Sequence, residues 1–420
     1  MTQRGEHPKN KRPLRKDEAG ETPRGGKSEK PGSPRNGKEA AGGPDTNGGS
    51  SGGDPGSGGN FNGFATAEWL TNAGDASDVV LSSRVRLARN LSGHTFVHRA
   101  SKEDRERALQ ICRDWILAAN VCDRIMWVDL HESPAIERNL LVERHLISKQ
   151  HAKGKAATSG GVATPAAEEP RAVAVSIPDE RLSIMVNEED HIRMQMLRAG
   201  LSLSDCWRDA SAIDDKLEAG LDYAFTKKLG YLTACPTNVG TGMRMSVMLH
   251  LPALKVTGEI EKVKRAATDM NLAVRGFYGE GSDAVGDLYQ ISNQTTLGKP
   301  EGAVLADLQD SIIPEVIQYE RHARNTLLSK RRSALEDQVF RALGAFTHAR
   351  LIAADESMQL LSLVRLGVVL GLIPELSVQT VNMLFLMVQP AHLQRVLGKE
   401  MDQEHRRIGR AAMIRARLTK

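Results

Sequence analysis

The sequence predicts an α+β protein in which a strand-bearing region comes first and an all-α region follows. Three observations predict it. Apolar, β-branched runs at Val79-Val80-Leu81, 172–177 and 182–187 read as strands. Apolar residues recur at helical spacing between them, as at Leu109, Cys112, Trp115 and Ile116. Beyond about Pro314 the helical pattern is nearly continuous, through Leu327, Leu335, Val339 and Leu343 to the apolar stretch 381–388.

In chain order, residues 1–64 are dominated by Gly, Pro, Ser, Asn and charged residues, a composition that cannot bury a core, so a disordered tail is expected. A first folded domain is expected over 65–311. Its Ala-, Gly-, Ser- and Thr-rich stretch at about 154–169 reads as a surface-loop insertion. The segment 204–225 reads as a helix with Trp207, Ala210, Leu217, Leu221 and Phe225 on one face, and a strand pair is expected to bracket 235–242. A separate helical domain is expected over 312–420.

Composition excludes several classes. Of 420 residues, 40% are hydrophobic and 26% charged, which is ordinary for a globular protein. No apolar run approaches the roughly 20 residues of a spanning helix, and charges stand where a signal peptide would be apolar. Cys112, Cys122, Cys206 and Cys235 lie far apart without a C-x-x-C pair, which argues against a zinc site or disulfide framework and points to a reducing cytoplasm. The formal net charge of +4 is mild and its basic residues are mixed with acids, which argues against nucleic acid as a partner.

Four segments carry potential chemistry. In Ser82-Ser83-Arg84-Val85-Arg86-Leu87-Ala88-Arg89, alternation puts Arg84 and Arg86 on one face, and two guanidinium forks on a rigid strand suit a polyphosphate. Asn187-Glu188-Glu189-Asp190 places three carboxylates at a strand end, where they repel unless a cation sits among them; alternation sets Asn187 and Glu189 against Glu188. In 235–248, Cys235 stands at a strand end, Gly240 and Gly242 permit close backbone approach to a ligand, and Arg244 opens the next strand. Arg275-Gly276-Phe277-Tyr278-Gly279-Glu280 is a glycine-rich loop able to close over a substrate. Each segment alone also fits a structural role: a solvated strand face, an acidic turn, a small buried thiol. Together, arginines around a transferring phosphoryl group and carboxylates around a cationic acceptor are the parts that phosphoryl transfer to a guanidinium needs.

SSRVRLAR, VNEEDHIR, CPTNVGTGMR and RGFYGEGS, in this order, resemble the signature segments of the phosphagen (guanidino) kinases, most nearly the bacterial protein-arginine kinases. The resemblance implies an antiparallel sheet flanked by helices. It places ATP on Arg84, Arg86, Arg193, Arg244 and Arg275, with their neighbours Ser83, Val85, Leu87, Met245, Ser246, Val247, Met248, Gly276, Phe277, Tyr278 and Gly279, and sets His145 near the adenine or ribose. Glu189 and Glu280 would grip the acceptor guanidinium, one of them serving as general base, with the Cys235 thiolate beside it. ATP with Mg2+ held mainly through its phosphates is implied, and no protein metal site. Implied too are protein substrates with exposed arginines, a zinc-binding activator protein, a Clp-type unfoldase, and a role in protein quality control and stress response; a homodimer is left open.

Two features separate the chain from kinases of free arginine or creatine. The helical domain that precedes the catalytic domain in those enzymes is not expected here, and a helical domain instead follows. Its end resembles a phosphoarginine-binding segment, with Arg406 and Arg410 matching the pattern and Arg407 standing where the family has an acid. Alternatives remain open at this point: a small-molecule guanidino kinase, a phosphoarginine-binding adaptor, and guanidine hydrolysis through Cys235.

Overall fold

The computed structural model describes residues 67–154, 157–159, 162–164, 168–277 and 284–418. The expected tail, most of the expected loop insertion, and Tyr278, Gly279 and Glu280 lie outside the described residues. A 3-10 turn at Glu68–Leu70 leads into β1 (Val80–Arg89). In β1, Val85 and Leu87 are buried while Arg84 and Arg86 are partly exposed, as period-two alternation requires. Helix α1 (Lys102–Ala118) starts at a reciprocal cap: Ser101 Oγ accepts from Asp104 N at 3.1 Å and Asp104 Oδ2 accepts from Ser101 N at 3.3 Å. Its buried face carries Ala108, Cys112 and Ile116.

Then come β2 (Ile125–Asp129), α2 (Ala135–Glu143), α3 (Lys149–Lys153), β3 (Ala157–Ser159) and β4 (Val162–Thr164). β3 and β4 pair with each other inside the stretch read as a loop insertion. β5 (Ala172–Ser176), β6 (Leu182–Val186) and β7 (Ile192–Ala199) follow the expected pattern. Helix α4 (Leu203–Glu218) buries Leu203, Cys206, Ala210, Ile213 and Leu217. It is shorter than the sequence suggested: Phe225 is exposed in the short β8 (Phe225–Thr226), which pairs with β9 (Gly230–Tyr231). The strand before the 235–242 loop therefore pairs backward with β8 and meets the loop through a bridge between Tyr231 and Gly240.

β10 (Met243–His250), α5 (Pro252–Val256), α6 (Ile260–Asp269), β11 (Leu272–Arg275) and β12 (Leu288–Asn293) complete an antiparallel sheet of order β11-β12-β10-β1-β7-β6-β5-β2. Helix α4 packs on β1, β7 and β10, and the opposite face of these central strands is polar. Helical structure then starts earlier than Pro314: α7 (Glu301–Ala306) runs through a π turn at Asp307–Ile312 into α8 (Ile313–Lys330). Pro314 follows directly on the π turn, where the regular hydrogen-bond ladder of the continuous helix is already interrupted. Then follow α9 (Arg332–His348), α10 (Ala354–Val369), α11 (Val378–Met387), α12 (Pro390–Leu397) and α13 (Gln403–Leu418).

The helical region and the sheet share buried polar contacts. Arg365, fully buried on α10, donates to Asn382 Oδ1, to the carbonyls of Ser77 and Asp78, and to His250 Nδ1 at 2.9 Å. His250 Nε2 lies 2.9 Å from Ser362 Oγ, which donates to Asp287 at 2.6 Å. Such groups are tolerable inside a protein only because each has a partner.

Candidate active site

Strand register assembles the arginines. Arg86 of β1 lies opposite Arg244 of β10, and Ala88 lies opposite Arg193 of β7, so Arg84, Arg86, Arg193 and Arg244 leave one face of the sheet. Arg275 joins them through Gln290, which pairs with Met248 on one side and Arg275 on the other. Uncharged donors and acceptors hold the floor. Arg84 Nε donates to Ser246 Oγ at 3.4 Å, Gln290 Nε2 donates to the same oxygen at 2.8 Å, and Arg244 Nη2 donates to Ser292 Oγ at 3.2 Å. Above this floor is a cleft of about 230 Å³ whose walls include Arg84, Arg86, His145, Glu188, Glu189, Arg193, Gln195 and Arg275.

The electrostatics are those of an anion site. Burial and the repulsion of Arg193, Arg244 and Arg275 push the Arg84 guanidinium down to about 9, and burial with the same neighbours and Arg84 pushes Arg86 well below its usual value. The buried Nε of Arg86 has no hydrogen-bond partner among the described residues. Arg193 behaves differently. Burial opposes its charge, but Glu188, with Glu189 and Asp190, together outweigh burial and raise its pKa.

The acidic segment departs from strand alternation. β6 ends at Val186, Asn187 takes a left-handed conformation (φ 60°), and its N–H bonds to the His191 carbonyl to close a tight loop. Glu188 therefore turns toward the arginines instead of away. Its carboxylate accepts from Arg193 Nη1 at 2.6 Å, Ser148 Oγ at 2.6 Å and Glu189 N at 2.8 Å. Burial works against ionisation, yet Arg193, with His151 and the Ser148 hydroxyl, holds the carboxyl down to about 2. Glu189 lies at the rim, its side chain 36% exposed against 3% for Glu188 and 3.9 Å from Arg193 Nη1. Asp190 faces away: its Oδ1 accepts from Asn90 Nδ2 and from Ala234 N, both at 2.6 Å, tying the acidic loop to the segment that carries Cys235.

Other expected site residues fall in different places. His145 lies in the cleft wall, its ring edge-on to Trp69 and Phe277 at centroid distances of 5.1 and 4.7 Å, and burial drives it down to about 3, so it is neutral. Phe277 is buried beside it and Gly276 adjoins. Ser246 and Met248 share the arginine face. Ser83, Val85, Leu87, Met245 and Val247 point to the opposite face, where Ser83 Oγ bonds to the Gly200 carbonyl at 2.8 Å. Cys235 is partly exposed outside the cleft walls, its Sγ 3.0 Å from Thr237 Oγ1. Gly240 and Gly242 approach the protein's own backbone rather than a ligand. A Cβ on Gly240 would stand 2.2 Å from Thr296 O, and one on Gly242 (φ 62°) 2.6 Å from Ala88 O.

On α13 the arginines of the expected cluster differ in setting. Arg410 is buried, with Nε donating to Val388 O at 2.7 Å and Nη1 to Ile352 O at 3.0 Å. Arg406 donates to Met401 O at 2.6 Å, and Arg407 is exposed. Among the residues the sequence reading missed, Gln195, Gln290 and Ser292 were accessible through strand parity with the arginines. Trp69 and the turn of Glu188 depend on tertiary contacts and a positive φ, which leave no comparable trace.

Comparison with known proteins identifies the family. Residues 116–323 match the family model described as ATP:guanido phosphotransferase, C-terminal catalytic domain, and residues 332–420 match the Protein-arginine kinase McsB C-terminal domain. The protein-arginine kinase of Symbiobacterium thermophilum is 46% identical over 359 residues, covering 84% of this chain and 97% of that one. That of Bacillus subtilis is 40% identical over 356 residues, covering 84% and 94%. Among solved structures, lombricine kinase aligns with a TM-score of 0.47 at 25% identity, over 60% of this chain and 68% of that one. An antiparallel sheet bearing an arginine-lined cleft, followed by helices that match the C-terminal model, places this chain in the protein-arginine kinase family of guanidino phosphotransferases.

Proposed function

We propose that this chain transfers the γ-phosphoryl group of ATP to a guanidinium nitrogen of arginine side chains in other proteins. The observation that carries the proposal is the set of five arginines on one sheet face with a partly exposed carboxylate, Glu189, at its rim. ATP phosphates meet the arginines, which also neutralise charge on the transferring group. The acceptor guanidinium rests against Glu189 and, by family pattern, Glu280. As the N–P bond forms, the bond from γ-phosphorus to the β–γ bridging oxygen breaks and ADP leaves with its electrons. The guanidinium, whose pKa is very high, releases its proton to a carboxylate only as that bond forms.

Magnesium accompanies ATP in this chemistry. Among the described residues no three His, Cys, Asp or Glu side chains group as a metal site, and Glu188 is committed to Arg193. By family resemblance the ion is expected mainly on phosphate oxygens, where it would add positive charge to the leaving diphosphate.

A protein rather than a free amino acid as acceptor is supported by the relatives' shared identity as protein-arginine kinases and by the matching C-terminal region. A zinc-binding activator, a Clp-type unfoldase, a homodimer and a cytoplasmic setting belong to the same proposal. Among the described residues no helix is long and apolar enough to cross a membrane. The test is incubation of the full chain with labelled ATP, magnesium and either an arginine-rich protein or free arginine. Acid-labile label on protein is expected; robust labelling of free arginine alone would replace the proposal with a small-molecule kinase. Nucleotide-independent binding of phosphoarginine without transfer would replace it with an adaptor.

A further inference from the structure

The cleft has one wall that the sheet does not supply. His145 follows α2 directly and takes a left-handed backbone (φ 61°), a conformation a histidine keeps only where its surroundings impose it. Gln195 Nε2 donates to the His145 carbonyl at 2.5 Å, which fixes the residue from the sheet side. From the other side, the two preceding residues reach into the helical region. Glu143 and Arg144 are 6% and 4% exposed, and their charged ends meet α12.

The Glu143 carboxylate accepts from Ala391 N at 2.8 Å and His392 N at 2.9 Å, in the first turn of α12, and from His392 Nδ1 at 2.7 Å. A carboxylate only accepts, so Nδ1 carries the imidazole proton and Nε2 is left as an acceptor. Arg144 Nη1 lies 3.3 Å from that Nε2, while its Nε and Nη2 both engage Glu180 at 2.7 Å. His392, 1% exposed, thus bridges the two residues that precede His145. Burial lowers its pKa, which keeps the imidazole in the one tautomer that satisfies both partners.

We propose that His392 is a positioning residue for the nucleotide: by locking Glu143 and Arg144 it sets where His145 stands in the cleft, and it makes α12 part of the ATP site. The inference rests on the nucleotide reading of the cleft given above. It assigns the helical region a duty inside the catalytic unit that is separate from any contact with protein substrates.

The test is titration of the full chain with ADP and, in parallel, with inorganic tripolyphosphate. Tripolyphosphate reaches the arginines without a nucleoside to place against His145. Wild type should bind both; no binding of either would overturn the nucleotide reading itself. H392L should weaken ADP about tenfold or more while leaving tripolyphosphate unchanged, the kind of loss a displaced contact causes at a distance. H392N, whose amide can replace the Nδ1 donor, should recover most of the ADP affinity. Should H392L fold poorly, E143Q is the second variant, with the same selective loss of ADP expected. Wild-type ADP affinity in folded H392L or E143Q would overturn the proposal, as would an equal loss of both ligands, which would mark a general structural role.

Discussion

Glu188 and Arg193 meet at 2.6 Å, and this one contact gives two adjacent glutamates different work. Glu188 is an internal counter-charge that holds one arginine of the cleft in place. Its neighbour Glu189 stands 3.9 Å from the same guanidinium, at the exposed rim where the proposed function sets the acceptor.

Replacing Glu188 with Gln should therefore cost stability as well as activity. Losing one partner of a buried pair costs about 3–5 kcal/mol. The glutamate's pKa is depressed to about 2 in the fold, so its contribution is complete above about pH 4.5 and fades as pH falls toward 2. Urea unfolding of wild type and E188Q should differ most near neutrality and converge in acid. A difference that stays constant down to pH 3 would rule out the linkage.

Arg86 should behave in the opposite way. Its charge is held among four other arginines, with Nε unsatisfied among the described residues, so R86M should raise the melting temperature of the ligand-free chain, by about 1–2 kcal/mol in stability. The same variant should lose most of the melting-point increase that ADP gives wild type. Thermal melts with and without ADP check both signs.

Acid should weaken the fold well before the carboxylates titrate. Burial lowers His145 to about 3 and both His151 and His191 to about 4, and drives His250 well below its usual value. The unfolded chain takes up these protons near pH 6.5 while the folded chain does not, so stability is present above that pH and is lost as pH falls toward 4. The urea midpoint should drop between pH 7.5 and 5. A flat profile there would show that these histidines charge without unfolding.

Arg410 tests whether the end of α13 is a ligand site or a structural joint. Arg410→Lys keeps the charge but cannot serve the Val388 and Ile352 carbonyls together, so a fall in stability of about 1–3 kcal/mol is expected. Unchanged melting with lost phosphoarginine binding would restore the ligand reading of this residue.

The legible part of this molecule was what repeats. Alternation along SSRVRLAR placed Arg84 and Arg86 on one face, and apolar spacing exposed α1, α4 and the helices after α8, because periodic burial leaves a periodic sequence. The failures sit where periodicity stops. Asn187 leaves the strand through a positive φ, so Glu188, which alternation set opposite Glu189, lines the same cleft as Glu189. Gly240 and Gly242 were rightly seen as sites of close approach, but the partner is backbone from segments distant in sequence, and nothing local names it. Arg410 matched a phosphoarginine-binding pattern, but its burial against backbone carbonyls is not visible in the sequence.

The five arginines of this sheet face come from four strands, and Arg275 lies 191 positions after Arg84 in the chain. During synthesis Arg275 and its supporting strand β12 leave the ribosome late, and the α12 side chain that clasps Glu143 leaves later still. A nascent or truncated chain thus carries the first guanidinium pair long before it owns a cage. The five-guanidinium face is therefore a long-range product of folding, complete only when strands far apart in the chain have come together.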